Sequence, residues 1–180
     1  MCFKKILVLM SSPRSGGNTD KLCDSFIAGA KEKGHTVLKI NISESNIKFC
    51  DSCYKCKQPP NICHIEDDMA SILEEFMLAD VIVLASPVYF YSISAQLKTF
   101  IDRCLVKWES IENKDFYFIV SASQNTKLAT ASTIGAMRGF ITCLKNSKEL
   151  GMLCAYGVNS TNLIENTDYL NQAYCMGNSI

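Results

Sequence analysis

An α/β domain, doubly wound around a five-stranded parallel sheet, is predicted by two features of these 180 residues: five near-continuous apolar runs of strand length, and amphipathic stretches that alternate with them. Strands apolar on both faces need helices on both faces, and right-handed crossovers put them there. Composition agrees, with 48% apolar and 20% charged residues and no long polar tract, which excludes a disordered or low-complexity scaffold. At this length folding removes roughly 70% of the unfolded surface from water, so one domain over residues 1–180 accounts for the chain.

The first strand is Ile6 to Met10, and Leu22, Phe26 and Ala30 mark the helix that follows. Thr36 to Ile40 reads as the second strand. Asn41 to Asp68 then breaks the alternation; it carries Cys50, Cys53, Cys56 and Cys63 together with Pro59-Pro60. Because a structureless loop of that length is unusual in a compact domain, it reads as an ordered, cysteine-rich insertion after strand 2. Met69, Ile72, Leu73, Phe76 and Met77 form the apolar face of the next helix, and Val81 to Ala85 the third strand. Leu97, Phe100, Ile101, Cys104 and Leu105 repeat the helical spacing before the fourth strand, Phe116 to Val120. Ile134, Met137, Ile141 and Leu144 mark a fourth helix, Met152 to Ala155 a fifth strand, and Leu170, Ala173 and Tyr174 a short last helix. All five strands read as buried. The expected order is 2-1-3-4-5, which places a ligand at the switch point between the carboxyl ends of strands 1 and 3.

Eighteen basic residues balance eighteen acidic ones, so no net field draws the chain to nucleic acid or to an anionic membrane. The apolar run after Lys4-Lys5 is short for a signal peptide, and no run reaches the ~18 residues of a membrane span. A cytoplasmic location is expected, and a reducing compartment turns clustered cysteines toward metal or redox chemistry rather than disulfides. Cys2, Cys23, Cys104, Cys143, Cys154 and Cys175 are scattered and read as buried small hydrophobes.

After strand 1 the chain runs Ser11-Ser12-Pro13-Arg14-Ser15-Gly16-Gly17-Asn18-Thr19 into a helix. A helix N-terminus presents unpaired N–H groups and the positive end of the dipole, which stabilise a phosphate. Ser12, Ser15, Asn18 and Thr19 can add donors, Arg14 a charge, and Gly16 and Gly17 close backbone approach. Neither GxxxxGK[ST] nor GxGxxG is present, so a terminal phosphate monoester suits the turn better than a nucleoside triphosphate or dinucleotide. The competing reading is an ordinary turn capped by Asn18 or Thr19. After strand 3, Ser86-Pro87-Val88-Tyr89-Phe90-Tyr91-Ser92 places aromatic rings at the same crevice, where they can line a flat heteroaromatic ligand.

SSPRSGGNTDKL, the DDM at Asp67 to Met69, and ADVIVLASPVYFYSISAQLKTFIDR from Ala79 to Arg103 together resemble the NADPH-dependent FMN reductase family, including its iron-sulfur flavoprotein branch. The resemblance implies a flavodoxin-like fold, non-covalent FMN, and a homodimer or homotetramer with the flavin near a subunit boundary. It also implies that Ser12, Arg14, Ser15, Gly17, Asn18 and Thr19 face the FMN phosphate and that Pro87, Val88, Tyr89 and Phe90 border the isoalloxazine; the loop after strand 4, Ser121-Ala122-Ser123-Gln124, matches the family only loosely and reads from its place in the fold as the third wall of the crevice, with Ser121 and Ser123 as the binding residues. Ser11 and Tyr91 depart from the family, each replacing a frequent glycine; a bulky Tyr91 narrows access to the flavin face.

Cys50-x2-Cys53-x2-Cys56-x6-Cys63 is a spacing that lets one loop wrap a 4Fe-4S cluster, and it is similar to the compact motif of iron-sulfur flavoproteins. Zinc competes, with His64 available for a mixed site, and so do four free thiols. Asp67 and Asp68, just before a helix, read as cap and dipole partners rather than a catalytic pair. The expected function is an FMN-dependent oxidoreductase. Electrons would come from NAD(P)H, or from a ferredoxin-like donor through the cluster, and pass to a small-molecule acceptor such as a quinone or free flavin. Two alternatives stand: a non-enzymatic FMN-binding electron carrier, and an α/β domain with a zinc-stabilised interaction loop.

Overall fold

The computed structural model describes residues 3–160 and 163–180. Five strands alternate with five helices: β1 (Lys5–Met10), α1 (Asn18–Glu32), β2 (Thr36–Asn41), α2 (Met69–Leu78), β3 (Val81–Pro87), α3 (Ala95–Arg103), β4 (Asp115–Ser121), α4 (Leu128–Thr142), β5 (Lys148–Ala155) and α5 (Tyr169–Asn178). All pairings are parallel, in the order β2-β1-β3-β4-β5, as the apolar runs predict.

Alternation along the central strands explains why those runs have no polar positions. Leu7 and Leu9 of β1 enter a core shared with Phe76 of α2, Phe100 of α3, and Met137 and Phe140 of α4. Ile6, Val8 and Met10 enter the opposite core with Leu22, Phe26 and Ala30 of α1 and Ala173 of α5. A tilted aromatic cluster anchors the first core, with Phe76 5.5 Å from Phe100 and 6.2 Å from Phe116 between ring centroids. Among the described residues, no helix is long and apolar enough to cross a membrane.

The edge strands correct the expectation that all five are buried. β2 is only partly covered, with Leu38 exposed, and on β5 Leu150 and Met152 are exposed. β5 also begins at Lys148 rather than Met152, because its first half is polar on the open side. A register shift between Phe116 and Tyr117 skips Leu150. Gly151 is required there, since a Cβ would lie 2.8 Å from the Tyr117 ring.

The scattered cysteines divide. Cys23 and Cys104 are buried, and burial pushes their thiols up, so they stay protonated. Cys143 and Cys175 are exposed and Cys154 is half-buried, because the first two lie on the outer faces of helix ends; Cys2 lies outside the described residues.

α1 and α5 meet backbone to backbone. A Cβ on Gly29 would stand 2.1 Å from the Tyr174 carbonyl oxygen, and one on Gly177 2.0 Å from that of Phe26. Gly177→Ala is therefore expected to push the helices apart and cost at least ~1–3 kcal/mol, read as a lowered urea midpoint. Gly135→Ala, on the exposed face of α4 with nothing within 4 Å of its Cβ, is expected to stabilise by about 1 kcal/mol through helix propensity.

Candidate functional site

The carboxyl ends of β1 and β3 are tied by a buried serine network. Ser11 donates through N–H (3.0 Å) and Oγ (2.8 Å) to the Ala85 carbonyl. Ser94, the N-cap of α3, donates from Oγ to Ser11 Oγ at 2.8 Å and from N–H to Ser86 Oγ at 2.9 Å. Above this floor the chain turns between Arg14 and Gly17, whose N–H donates to the Arg14 carbonyl at 3.0 Å, with Gly16 at φ +68°. That left-handed backbone favours glycine.

Gly17 is the N-cap of α1 and supplies no side-chain cap, so the alternative of a turn capped by Asn18 or Thr19 is not what forms. Asn18 Nδ2 instead donates to the carbonyls of Val158 and Ser160, each at 3.0 Å, and Thr19 Oγ1 shares a hydrogen bond with Ser121 Oγ at 2.8 Å. The one acid of the first turn, Asp20, accepts the Gly16 N–H and pairs with Lys39, which offsets its charge. A helix N-terminus without a side-chain cap, whose acid is paired with a lysine, can seat an anion.

A cavity of about 220 Å³ lies over this seat. Of the residues expected there, Ser12, Arg14, Gly17, Asn18, Thr19, Pro87, Val88, Tyr89, Ser121 and Ser123 all line it. Ser15 is exposed and outside the lining. Phe90 instead borders a second compartment of about 290 Å³, with Tyr91, Ala122, Gln124 and Ala129. Val88 and Ser123 line both compartments, and together these reach the ~300–1,000 Å³ of ordinary small-molecule sites. Val158 and Asn159, from the loop after β5, complete the first compartment; no local pattern marked them, although the amide of Asn18 needed partners. Asn18 Oδ1 is buried with no partner, an acceptor left for a ligand hydroxyl.

The aromatic segment forms a two-residue hairpin. Tyr89 and Ser92 exchange both backbone hydrogen bonds at 3.0 Å, with Phe90 and Tyr91 at its tip. Tyr91 Oη donates to Gln124 Oε1 at 2.9 Å, and Phe90 is fully exposed.

The two ends of the cysteine-rich segment are clamped by Arg103, a residue the sequence reading passed over. Its guanidinium donates to Asp67 Oδ2 (2.6 Å) and Oδ1 (3.0 Å), to the Lys48 carbonyl (2.7 Å) and to Cys63 Sγ (3.7 Å). Both side chains of the Arg103–Asp67 pair are buried. Burial alone would raise the Asp67 carboxyl, but hydrogen bonds from Arg103 and from the N–H groups of Lys48 and Met69 hold it below the usual range. Asp67 is thus mainly a buried anchor whose Oδ1 also accepts the N–H of Met69, the first residue of α2, while Asp68 stands at the N-cap position and turns its carboxylate to the Asn46 N–H at 2.7 Å.

Cys50, Cys53, Cys56 and Cys63 are free thiols, half-buried except for the exposed Cys53. Cys50 borders a groove between α3 and α4, and Cys63 borders a cavity against α2. Among the described residues, the one metal-capable group with ligand atoms all within 4.8 Å is Asp51, Cys53 and His64. Hydrogen bonds from Cys53 and His64 hold the Asp51 carboxyl down to about 2.

The NADPH-dependent FMN reductase family profile matches residues 4–152. An iron-sulfur flavoprotein of Archaeoglobus fulgidus is 37% identical over 101 residues, which are 56% of this chain and 46% of that protein. An iron-sulfur flavoprotein of Methanosarcina thermophila is 32% identical over 134 residues, 74% of this chain and 64% of its own length. The aligned stretch thus spans about half to two-thirds of these relatives. In fold, the chain is similar to an azoreductase from Bacillus anthracis str. Sterne, with a TM-score of 0.78 at 16% identity, covering 99% of this chain and 100% of that one.

Proposed function

Since this chain belongs to the NADPH-dependent FMN reductase family, we propose that it holds FMN in the two-compartment crevice and passes electrons from NAD(P)H to a small acceptor such as a quinone. The observation that carries this reading is the meeting of the uncapped α1 N-terminus and the Pro87–Tyr89 segment in one cavity. The residues fit the cofactor. The first turn of α1, Ser12 and Arg14 would hold the phosphate, and the buried, unpartnered Asn18 Oδ1 suits a hydroxyl of the ribityl chain.

FMN, when bound, supplies the chemistry, taking a hydride equivalent from a nicotinamide and delivering two electrons to an acceptor. The chain's own groups bind and orient. Arg14, exposed at the rim, contributes charge to the phosphate side. Val88, Ala122 and Ala129 keep the ring side apolar, and no lining side chain is required as a nucleophile. In balance, NAD(P)H, a proton and a quinone give NAD(P)⁺ and a hydroquinone.

We also propose that Cys50, Cys53, Cys56 and Cys63 ligate an iron-sulfur cluster fed by a ferredoxin-like donor. The donor set supports it chemically: four free thiols on one segment whose ends Arg103 fixes. The convergence of Asp51, Cys53 and His64 favours zinc as the second reading.

Anaerobic purification, followed by an absorbance spectrum, metal and sulfide analysis and an NADPH oxidation assay, tests both proposals. Expected are one FMN and ~4 iron with matching sulfide per chain, and NADPH oxidation that depends on an added quinone. Zinc without iron removes the cluster but not the flavin, whereas a colourless protein that takes up no FMN removes the flavoenzyme reading. FMN uptake without NADPH oxidation makes the protein an electron carrier.

A further inference from the structure

Lys39 stands on the edge strand β2, in register with Val8 of β1, and its side chain crosses to α1. Its Nζ lies 2.5 Å from Asp20 Oδ1 and also pairs with Asp24, one helical turn further on. The other oxygen of the first acid, Asp20 Oδ2, accepts the Gly16 N–H at 2.8 Å. Asp20 is buried and Asp24 is exposed, so water screens the second acid far more than the first. A relay thus runs from β2 through one carboxylate to the turn that carries the phosphate seat, although neither Lys39 nor Asp20 lines the cavity above it.

Charges around that seat are few. Among the described residues, Arg14 is the one charged side chain in the cavity lining, and it is exposed at the rim. A phosphate monoester carries nearly two negative charges at neutral pH. An acid in the first turn of a helix suits the dipole of an empty N-terminus, but beside a dianion it repels. Burial leaves such a repulsion weakly screened unless a cation sits on the same carboxylate. Lys39 is that cation.

We propose that Lys39 is a positioning residue for the flavin phosphate: through Asp20 it holds the Gly16 backbone and cancels the one acid in the first turn of α1, so that the crevice prefers FMN to riboflavin, its phosphate-free counterpart. This rests on the flavoenzyme reading above and adds to it a residue outside the crevice. Lys39 touches no ligand; it acts through the carboxylate alone.

The test is fluorescence titration of flavin-free protein with FMN and with riboflavin, for wild type, Lys39→Met, Lys39→Arg and the double variant Lys39→Met with Asp20→Asn. Thermal melting of each flavin-free protein accompanies it. Lys39→Met keeps most of the apolar stem and loses the charge, and is expected to weaken FMN binding ~10-fold and riboflavin binding less than ~2-fold. Lys39→Arg keeps the charge and is expected to stay within ~3-fold of wild type for FMN. Asp20→Asn keeps an oxygen for the Gly16 N–H, so the double variant is expected to regain FMN affinity to within ~3-fold of wild type. Equal FMN affinity in wild type and Lys39→Met overturns the role. An equal loss for FMN and riboflavin, or a loss that Asp20→Asn does not repair, also overturns it and makes Lys39 a structural contact only. A wild-type protein that takes up neither flavin, or both equally, overturns the phosphate seat itself, which is the underlying reading and not the part played by Lys39.

Discussion

Replacing Arg103 by methionine is expected to cost about 3–5 kcal/mol of stability, because it strands the buried Asp67 carboxylate without its partner. The Arg103–Asp67 pair is not decorative charge on a surface. It closes a 20-residue excursion by gripping the Lys48 carbonyl at one end and Asp67 and Cys63 at the other. Urea denaturation reads the loss, and faster tryptic cleavage at Lys55 and Lys57 reads the freed segment. Adding Asp67→Asn to Arg103→Met should recover part of the loss, since the amide removes the stranded charge and keeps one of the two oxygens that accept the N–H groups of Lys48 and Met69. The pH dependence has a definite sign. A carboxyl held below its unfolded value of ~3.9 contributes stability that is complete above that pH and lost as pH falls through the folded value. The gap between wild type and Arg103→Met should therefore narrow on acidification. An equal gap at pH 7 and pH 3 would mean that packing, not charge, carries the clamp.

Asn18→Asp is expected to weaken FMN binding roughly 100-fold, the equivalent of about 2.7 kcal/mol. The substitution keeps shape but removes both donors to the Val158 and Ser160 carbonyls, and it sets a negative charge where a phosphate dianion should lie. In the absence of flavin the effect should be far smaller. An acid in the first turn of a helix is favoured by the dipole, which offsets part of the two lost hydrogen bonds. Flavin fluorescence titration together with thermal melting of the flavin-free protein separates the two effects. Wild-type affinity in the variant would move the phosphate away from α1.

Those two residues show what local sequence can and cannot reveal. The central strands were legible because β1, β3 and β4 are covered on both faces, and a strand so placed must be apolar throughout. From the strand order, the switch-point rule located the crevice, and Ser12, Arg14, Asn18, Thr19 and Pro87–Tyr89 followed from it. The first half of β5 was hidden because an edge strand carries polar residues on its open side, and Lys148, Glu149 and Gly151 interrupt the apolar run. Arg103 sits at the end of a well-marked amphipathic helix, where an arginine looks like a solvated terminus; only its pairing with Asp67, 36 positions away, makes it structural. Val158 and Asn159 join the crevice by a return of the chain across the sheet that no periodicity encodes.

The bonds from Asn18 to Val158 and Ser160 join residues 140 and 142 positions apart. During synthesis, this wall of the crevice therefore stays half-built until residues 158–160 have emerged and docked. A ligand held in this crevice binds the completed architecture and not its precursors, and by mass action it draws newly made molecules toward the finished state.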